Sequence, residues 1–169
     1  EFQNKGYKRN ILTFRGNLAL RETEYEQAIG YYGEAARIGN EQGVRDPDAW
    51  GGLARAYARN GNLKQALNII EDGVDDHHFA EAVVYMLNGD TEEATDSALK
   101  FYKWAWAQGE PYVRRWALEQ AQAILEQLGI DEPILPVWDE SKYVPFEHED
   151  KIRDLLDRLR SEQDDENKD

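Results

Sequence analysis

The sequence predicts an all-α fold built from antiparallel helix pairs, and three observations carry that reading. Prolines stand only at 47, 111, 133, 136 and 145, which leaves two long stretches free of them, and in both the apolar residues recur at a helical period. Alanine, leucine, glutamate, glutamine and arginine dominate these stretches, and such residues lose little freedom on entering a helix. No stretch of β-branched residues alternates, so little or no strand is expected.

The elements follow from their start and stop signals. A first helix is predicted over about Lys8 to Leu20 and a second over about Glu24 to Ile38, with Gly39-Asn40 as a left-handed stop. Asp46 caps the third, and Pro47 suits its first position, where the missing N–H would have had no partner. Asn60-Gly61 ends that helix, and Asn62 opens a fourth that stops near Gly73. A fifth spans about Asp76 to Leu87 and ends at Asn88-Gly89; a sixth, capped by Asp90 or Thr91, reaches about Gln108. Gly109-Glu110-Pro111 breaks the chain before a seventh, which runs to about Leu128.

From Gly129 to about Glu147 three prolines prevent a sustained helix. A last amphipathic helix is predicted over about His148 to Arg160, with Ile152, Leu155, Leu156 and Leu159 on one face. Residues 161–169 hold five acids, one lysine and no apolar residue, the composition of a disordered tail. The domain reading is therefore 1–128 for the helix pairs and a capping helix, 129–160 for a proline-containing segment and C-terminal helix packed on them, and 161–169 for the tail.

Composition narrows the function classes. Thirty-four acids against 20 lysines and arginines give a formal net charge of −14, a field that repels nucleic-acid phosphates and anionic lipid headgroups. No nucleic-acid partner is expected. The absence of cysteine removes disulfides, thiolate metal sites and cysteine nucleophiles. No apolar run approaches the roughly 20 residues of a membrane span, so no membrane insertion by this segment is expected. The chain begins at Glu1 and reads as a processed form or an excised piece. The cytoplasm is the expected compartment, with the periplasm or a tether through an upstream segment left open.

A repeat emerges when the helix pairs are aligned on the small residue in each second helix. Gln27-Ala28-Ile29, Gln65-Ala66-Leu67 and Glu93-Ala94-Thr95 come into register, with a varying turn between them. The middle unit reads Trp50-x-x-Leu53-Ala54-x-x-Tyr57, then Gly61, then Ala66-x-x-x-Ile70. Antiparallel helices approach closely only where one presents a small residue to the other's bulky one, and Ala54 and Ala66 are those small contacts. The first unit keeps Leu12, Gly16, Ala19, Tyr25, Ala28, Tyr32 and Ala35; the third keeps Ala82, Tyr85, Gly89 and Ala94, with His78 where the Trp would stand. This pattern resembles the tetratricopeptide repeat, strongly over 47–72, less over 9–40 and weakly over 75–108. The resemblance implies a right-handed superhelix of about three antiparallel pairs, an α-solenoid. Its last apolar face needs a capping helix, here Tyr112 to Leu128.

The resemblance also implies where a partner binds: the concave wall made by the first helix of each pair. Carried over residue by residue, the groove positions are Asn10, Thr13, Asn17 and Arg21, then Gly51, Arg55, Ala58 and Arg59, then Phe79, Val83, Met86 and Leu87. Such a groove is cationic and amide-lined at one end and apolar at the other. Arginine's planar fork suits carboxylates, and Asn bonds a peptide backbone as donor and acceptor, so an acidic or C-terminal peptide is the expected ligand. A plainer account has the same arginines paired with the chain's own acids. Chaperone-binding relatives hold a terminal carboxylate with a matched set of Lys, Asn and Arg. Here Asn17 fits that set but Thr13, Asp76 and Ala80 do not, so no co-chaperone role is expected.

Six aromatics fall between Phe101 and Trp116. Trp104 and Trp106 are two positions apart, so on a helix they point to nearly opposite sides and cannot enter one core layer. The expected cover for the second is the segment from Ile134 through Trp138 to Phe146; the alternative is a partner protein. Residues 136–160 loosely resemble the closing segment after tetratricopeptide arrays in bacterial regulatory proteins of adenylate-cyclase and winged-helix type, through Leu155-Leu156-x-x-Leu159. That likeness implies the sensory or docking part of a larger regulator.

Catalysis finds little support. No phosphate-binding glycine loop, dinucleotide fingerprint, nucleophile elbow or zinc-protease helix occurs. Asp75-Asp76-His77-His78 with Glu81 is the best metal candidate, since His77 and Glu81 lie one helical turn apart and a third oxygen is near. His78 itself is expected to be packed. The expectation is a non-catalytic protein- or peptide-binding scaffold without a cofactor. The alternatives are a metal-dependent hydrolase or metal sensor at the Asp75 to Glu81 cluster, and a module that self-associates weakly through its aromatic segment.

Overall fold

A computed structural model describes residues 2–74, 78–145 and 151. Among these, seven α-helices follow one another: α1 (Phe2–Arg21), α2 (Tyr25–Glu41), α3 (Pro47–Arg59), α4 (Leu63–Glu71), α5 (Phe79–Asn88), α6 (Thr91–Trp106) and α7 (Pro111–Leu128). A short 3₁₀ turn, Glu140–Lys142, lies in the segment beyond α7, and the described residues contain no strand. The predicted helix over 148–160, the tail, and Asp75, Asp76 and His77 of the metal candidate fall outside the described residues, Lys151 excepted.

Two caps do what their residue types dictate, while Asp90, also read as a cap, stands before α6 without a side-chain hydrogen bond to it. The Asp46 carboxylate accepts from the N–H groups of Asp48 and Ala49, with Pro47 at the first helical position. The Asn62 side chain accepts from Gln65 N–H. Gly61, at φ +80°, makes the reversal between α3 and α4. One stop is elsewhere than predicted. Gly39 is helical and α2 continues to Glu41, while Gly43 takes the left-handed conformation. Gly39 serves close approach: a Cβ there would meet the Val44 carbonyl oxygen at 2.7 Å. The first helix also begins earlier than predicted, and Lys5 and Lys8 of its first turns reach Glu41 and Glu34 of α2.

Each helix packs on its neighbours in sequence, and the contact between α4 and α5 is lighter than the rest. The odd helices also touch in series, α1 with α3, α3 with α5 and α5 with α7, whereas the even helices do not meet one another. Two cores run through this stack. The first joins α1 to α5 through Ala19, Ala28, Tyr32, Leu53, Ala54, Ala66, Ile70 and Val84, with Trp50 and Tyr57 packed against it. The second joins α5, α6 and α7 through Phe79, Val83, Ala98, Phe101, Ala117, Ala121 and Leu125. So many buried alanines let the helix axes come close.

Tyr32 shows how tightly. Its side chain is fully buried. The ring lies against Gly16 of α1, where a Cβ would sit 2.8 Å from it, and against Gly52 of α3, where a Cβ would be closer still. Its hydroxyl donates to Asn17 Oδ1 at 2.7 Å. Glycines in the middle of two helices, each a local cost, are thus explained by one ring pressed between them.

Candidate functional site

The wall made by the odd helices carries the residues that the repeat pattern assigns to a groove, and the structure sorts them by access. Asn10, Asn17, Arg21, Arg59 and Leu87 are exposed; Thr13, Arg55 and Met86 are half-buried; Gly51, Ala58, Phe79 and Val83 are buried. The apolar end of the expected groove therefore needs correction. Phe79 stacks on Phe101 with ring centroids 4.8 Å apart and meets Trp116 edge-on at 5.8 Å, while Val83 lies in the same core. Both side chains are buried where α5 packs on α6 and α7.

The polar end stays open. Among the described residues, Arg21, Arg55 and Arg59 make no ion pair with any carboxylate, although other basic residues do, as Arg9 with Asp46 at 2.8 Å. Arg21 and Arg59 occupy the last turns of α1 and α3, where a cation complements the carbonyl ends. Arg55 donates to the Gly51 carbonyl and lays its guanidinium over the Phe79 ring at 4.2 Å, fixing the cation against α5. Burial pushes the Tyr32 phenol above its ordinary value, and the Arg55 charge opposes that rise. The Asn17 side-chain oxygen accepts from Tyr32, and its amide N–H groups make no hydrogen bond among the described residues. Thr13 bonds back to the Arg9 carbonyl.

A second cluster lies where the chain folds back after α7. Trp104 stacks on Phe101, whereas Trp106 turns the other way and takes the Arg114 guanidinium at 4.6 Å; the Trp138 ring also meets that guanidinium, at 4.2 Å. The divergence of the two tryptophans is thus resolved within the chain. Ile130 and Leu135 pack on the second core, and Glu132 accepts from Tyr102 at 2.8 Å and from Gln122 at 3.0 Å. The Tyr102 phenol is pushed up to about 12, first by burial and then by Glu132, while the bonds from Gln122 and Tyr102 hold the Glu132 carboxyl below its ordinary value. Val144 N–H donates to the Gly109 carbonyl, and Gly109 leaves no room for a Cβ against the Lys142 backbone. Burial pushes Arg114 down from its ordinary value. Arg114 Nε and Trp138 Nε1 are covered and have no acceptor among the described residues, and such a donor left unpaired costs on the order of 1–3 kcal/mol. The sequence gives Arg114 no signal beyond its place in the first turn after Pro111.

The metal candidate is described in part. His78 is not packed as expected. Its side chain is 42% exposed, at φ +70°, and its Nδ1 lies 2.6 Å from Glu81 Oε2, which also accepts from Ser97. The buried Ser97 thus meets a carboxylate and not the imidazole, the wrong order for a nucleophile and its base. Among the described residues no three metal-ligating side chains gather, and no helix is long and apolar enough to cross a membrane.

An exposed stripe was missed altogether. Tyr7, Ile11, Phe14 and Leu18 occupy one face of α1, all open to solvent. Leu12, Gly16 and Ala19 face α2 and α3 from the other side. A helix apolar on two sides has no net amphipathic direction, which hides the outer stripe from periodicity.

Comparison with known proteins places these observations. No curated protein and no solved structure matches the chain. Residues 19–88, from the end of α1 through α5, match the model of the tetratricopeptide repeat. That stretch contains the whole Trp50 to Ile70 unit, with Ala28, Tyr32 and Ala35 of the unit before it and Ala82 and Tyr85 of the unit after it, and it carries the tetratricopeptide repeat pattern.

Proposed function

We propose that this chain is a non-catalytic scaffold that binds an acidic peptide or partner helix along the wall of its odd helices. Tetratricopeptide repeats generally mediate protein–protein interaction and are typically without catalytic activity. The observation that carries the finer reading is the set of arginines 21, 55 and 59, without carboxylate partners among the described residues in a chain of net charge −14. Acids able to neutralise them are abundant, yet none among the described residues is placed to do so. Odd helices that touch in series while even ones stay apart give the arrangement an inner wall requires. Asn10, Thr13 and Asn17 extend the polar strip toward the N-terminal end, and Met86 with Leu87 supplies an apolar edge. A wall held by packed helices is preformed, so the partner bears most of the ordering cost.

The test uses a panel of labelled ten-residue peptides of graded acidity, titrated onto the full chain and onto Arg21→Gln with Arg59→Gln. Arg55 is left in place because its removal would also strip the cover from Phe79. Affinity should rise with peptide acidity and fall about tenfold in the double variant. It should also weaken between about 50 and 300 mM salt, as surface charge contacts do. Affinity indifferent to peptide charge and to both substitutions would remove the proposal.

A further inference from the structure

We propose that the cleft between the start of α7 and the folded-back segment is a second binding site, separate from the odd-helix wall, and that it takes the carboxylate of an apolar or aromatic ligand. The cleft measures about 590 Å³ and is lined by Gly109, Pro111, Arg114, Trp138, Glu140 and Tyr143. None of these residues belongs to the wall described above.

Its chemistry selects the ligand. The Arg114 guanidinium packs on both Trp106 and Trp138, which restrains its fork, and among the described residues its side chain has neither an ion pair nor a hydrogen bond. Of its nitrogens only Nε is both covered and without an acceptor, so the terminal ones keep their access to solvent. Trp138 Nε1 is covered too and has no acceptor among the described residues. A planar carboxylate matches a guanidinium edge with two oxygens, and a lone cation among the lining residues is too little charge for a phosphate dianion. Pro111, Trp138 and Tyr143 supply walls for an apolar body. The site is also built in advance. Gly109 lets the backbone of Lys142 press against it, and the Val144 N–H closes that contact at 2.9 Å. Glu140 stands on the rim as the one opposing charge, and it has no ion pair among the described residues.

The probe is N-acetylphenylalanine, added to the full chain while the indole N–H resonance of Trp138 is followed. A saturable shift is expected, with little response to the corresponding amide. Arg114→Met, which keeps an apolar stem against the indoles, should weaken binding at least about tenfold. Glu140→Gln should strengthen it and does not touch the fold, so it decides the matter even where the first variant loses its packing. A tetrapeptide ending in phenylalanine that binds more tightly than the free acid would assign the site to a protein terminus; equal affinity would assign it to a small carboxylate. An equal response to the amide, or an affinity that neither substitution changes, overturns the proposal.

Discussion

At its C-terminal end the stack closes α7 under a folded-back segment that brings Ile130, Glu132, Leu135 and Trp138 onto it, whereas at its N-terminal end α1 turns Tyr7, Ile11, Phe14 and Leu18 to solvent. Both ends belong to helices whose inner faces pack the same way, with small residues against large ones. The difference is that the C-terminal side carries its own cover in the sequence, with glycine at the one point where two backbones must meet. A solenoid must finish both of its open faces, since an internal repeat would leave either one apolar. What the contrast teaches is that finishing is a property of added segments and not of the repeat.

The largest effect is expected inside the N-terminal end. Gly52→Ala places a methyl into the Tyr32 ring, which is also pressed by Gly16 and cannot retreat. Overpacking of this kind should cost about 3 kcal/mol, and thermal unfolding should fall by on the order of 10 °C. A drop of less than about 2 °C would mean that the ring has room to move and that α1 is held more loosely than the buried tyrosine implies.

Next comes the C-terminal cover. In Gly109→Ala the new methyl meets the Lys142 backbone, which has no flexible end to shift, so the segment should lift away. The expected loss is about 1–2 kcal/mol, confined to faster amide exchange over residues 130–145 and a changed environment at Trp138. Unfolding of α1 to α4 at the same denaturant concentration as before would confirm that the two ends are separable. A uniform loss across all helices would break the comparison.

A smaller effect comes from pH. Hydrogen bonds hold the Glu132 carboxyl below its ordinary value, so what it contributes is complete above about pH 4–5 and is lost as pH falls through the folded-state value. Tyr102 is raised to about 12, so its contribution is complete below about pH 10 and is lost as pH climbs toward the folded value. Exchange protection at Ile130 and Leu135 should therefore be flat from about pH 5 to 9 and fall on either side. Glu132 is exposed, so solvent screening keeps the change small. In Glu132→Gln the acid limb should vanish; an unchanged limb would assign it to other carboxylates.

Much of this architecture was readable in advance. Caps at Asp46 and Asn62, the turn at Gly61 and the small contacts at Ala54 and Ala66 all follow from local rules, and the structure places them as read. Where reading failed, a non-local contact decided. Gly39 looked like a stop because glycine favours one, yet the close pass of the Val44 carbonyl explains it. Phe79 and Val83 fell at groove positions by spacing alone, and only the stacking of Phe101 from α6 reveals them as core. Arg114 gained meaning from Trp138, which lies 24 residues later in the chain. Pairings across loops of that length leave no periodic trace.

The smallest effect is expected where the comparison is most exposed, on the outer face of α1. Tyr7 is 71% and Phe14 70% exposed, so in a free chain Tyr7→Ser with Phe14→Ser removes little buried area and should change stability by no more than about 1 kcal/mol. The same pair of changes made on the inner face of α1 would open the first core. Unfolding measured at two protein concentrations checks this, because a face left open loses nothing at either. A loss above about 2 kcal/mol would mean that the stripe is covered, and one that grows with concentration would mean that a second copy covers it. Either result would give the N-terminal end a finish supplied from outside the helices described, just as residues 130–145 finish the other, and the asymmetry between the two ends would then lie in the source of the cover and not in its absence.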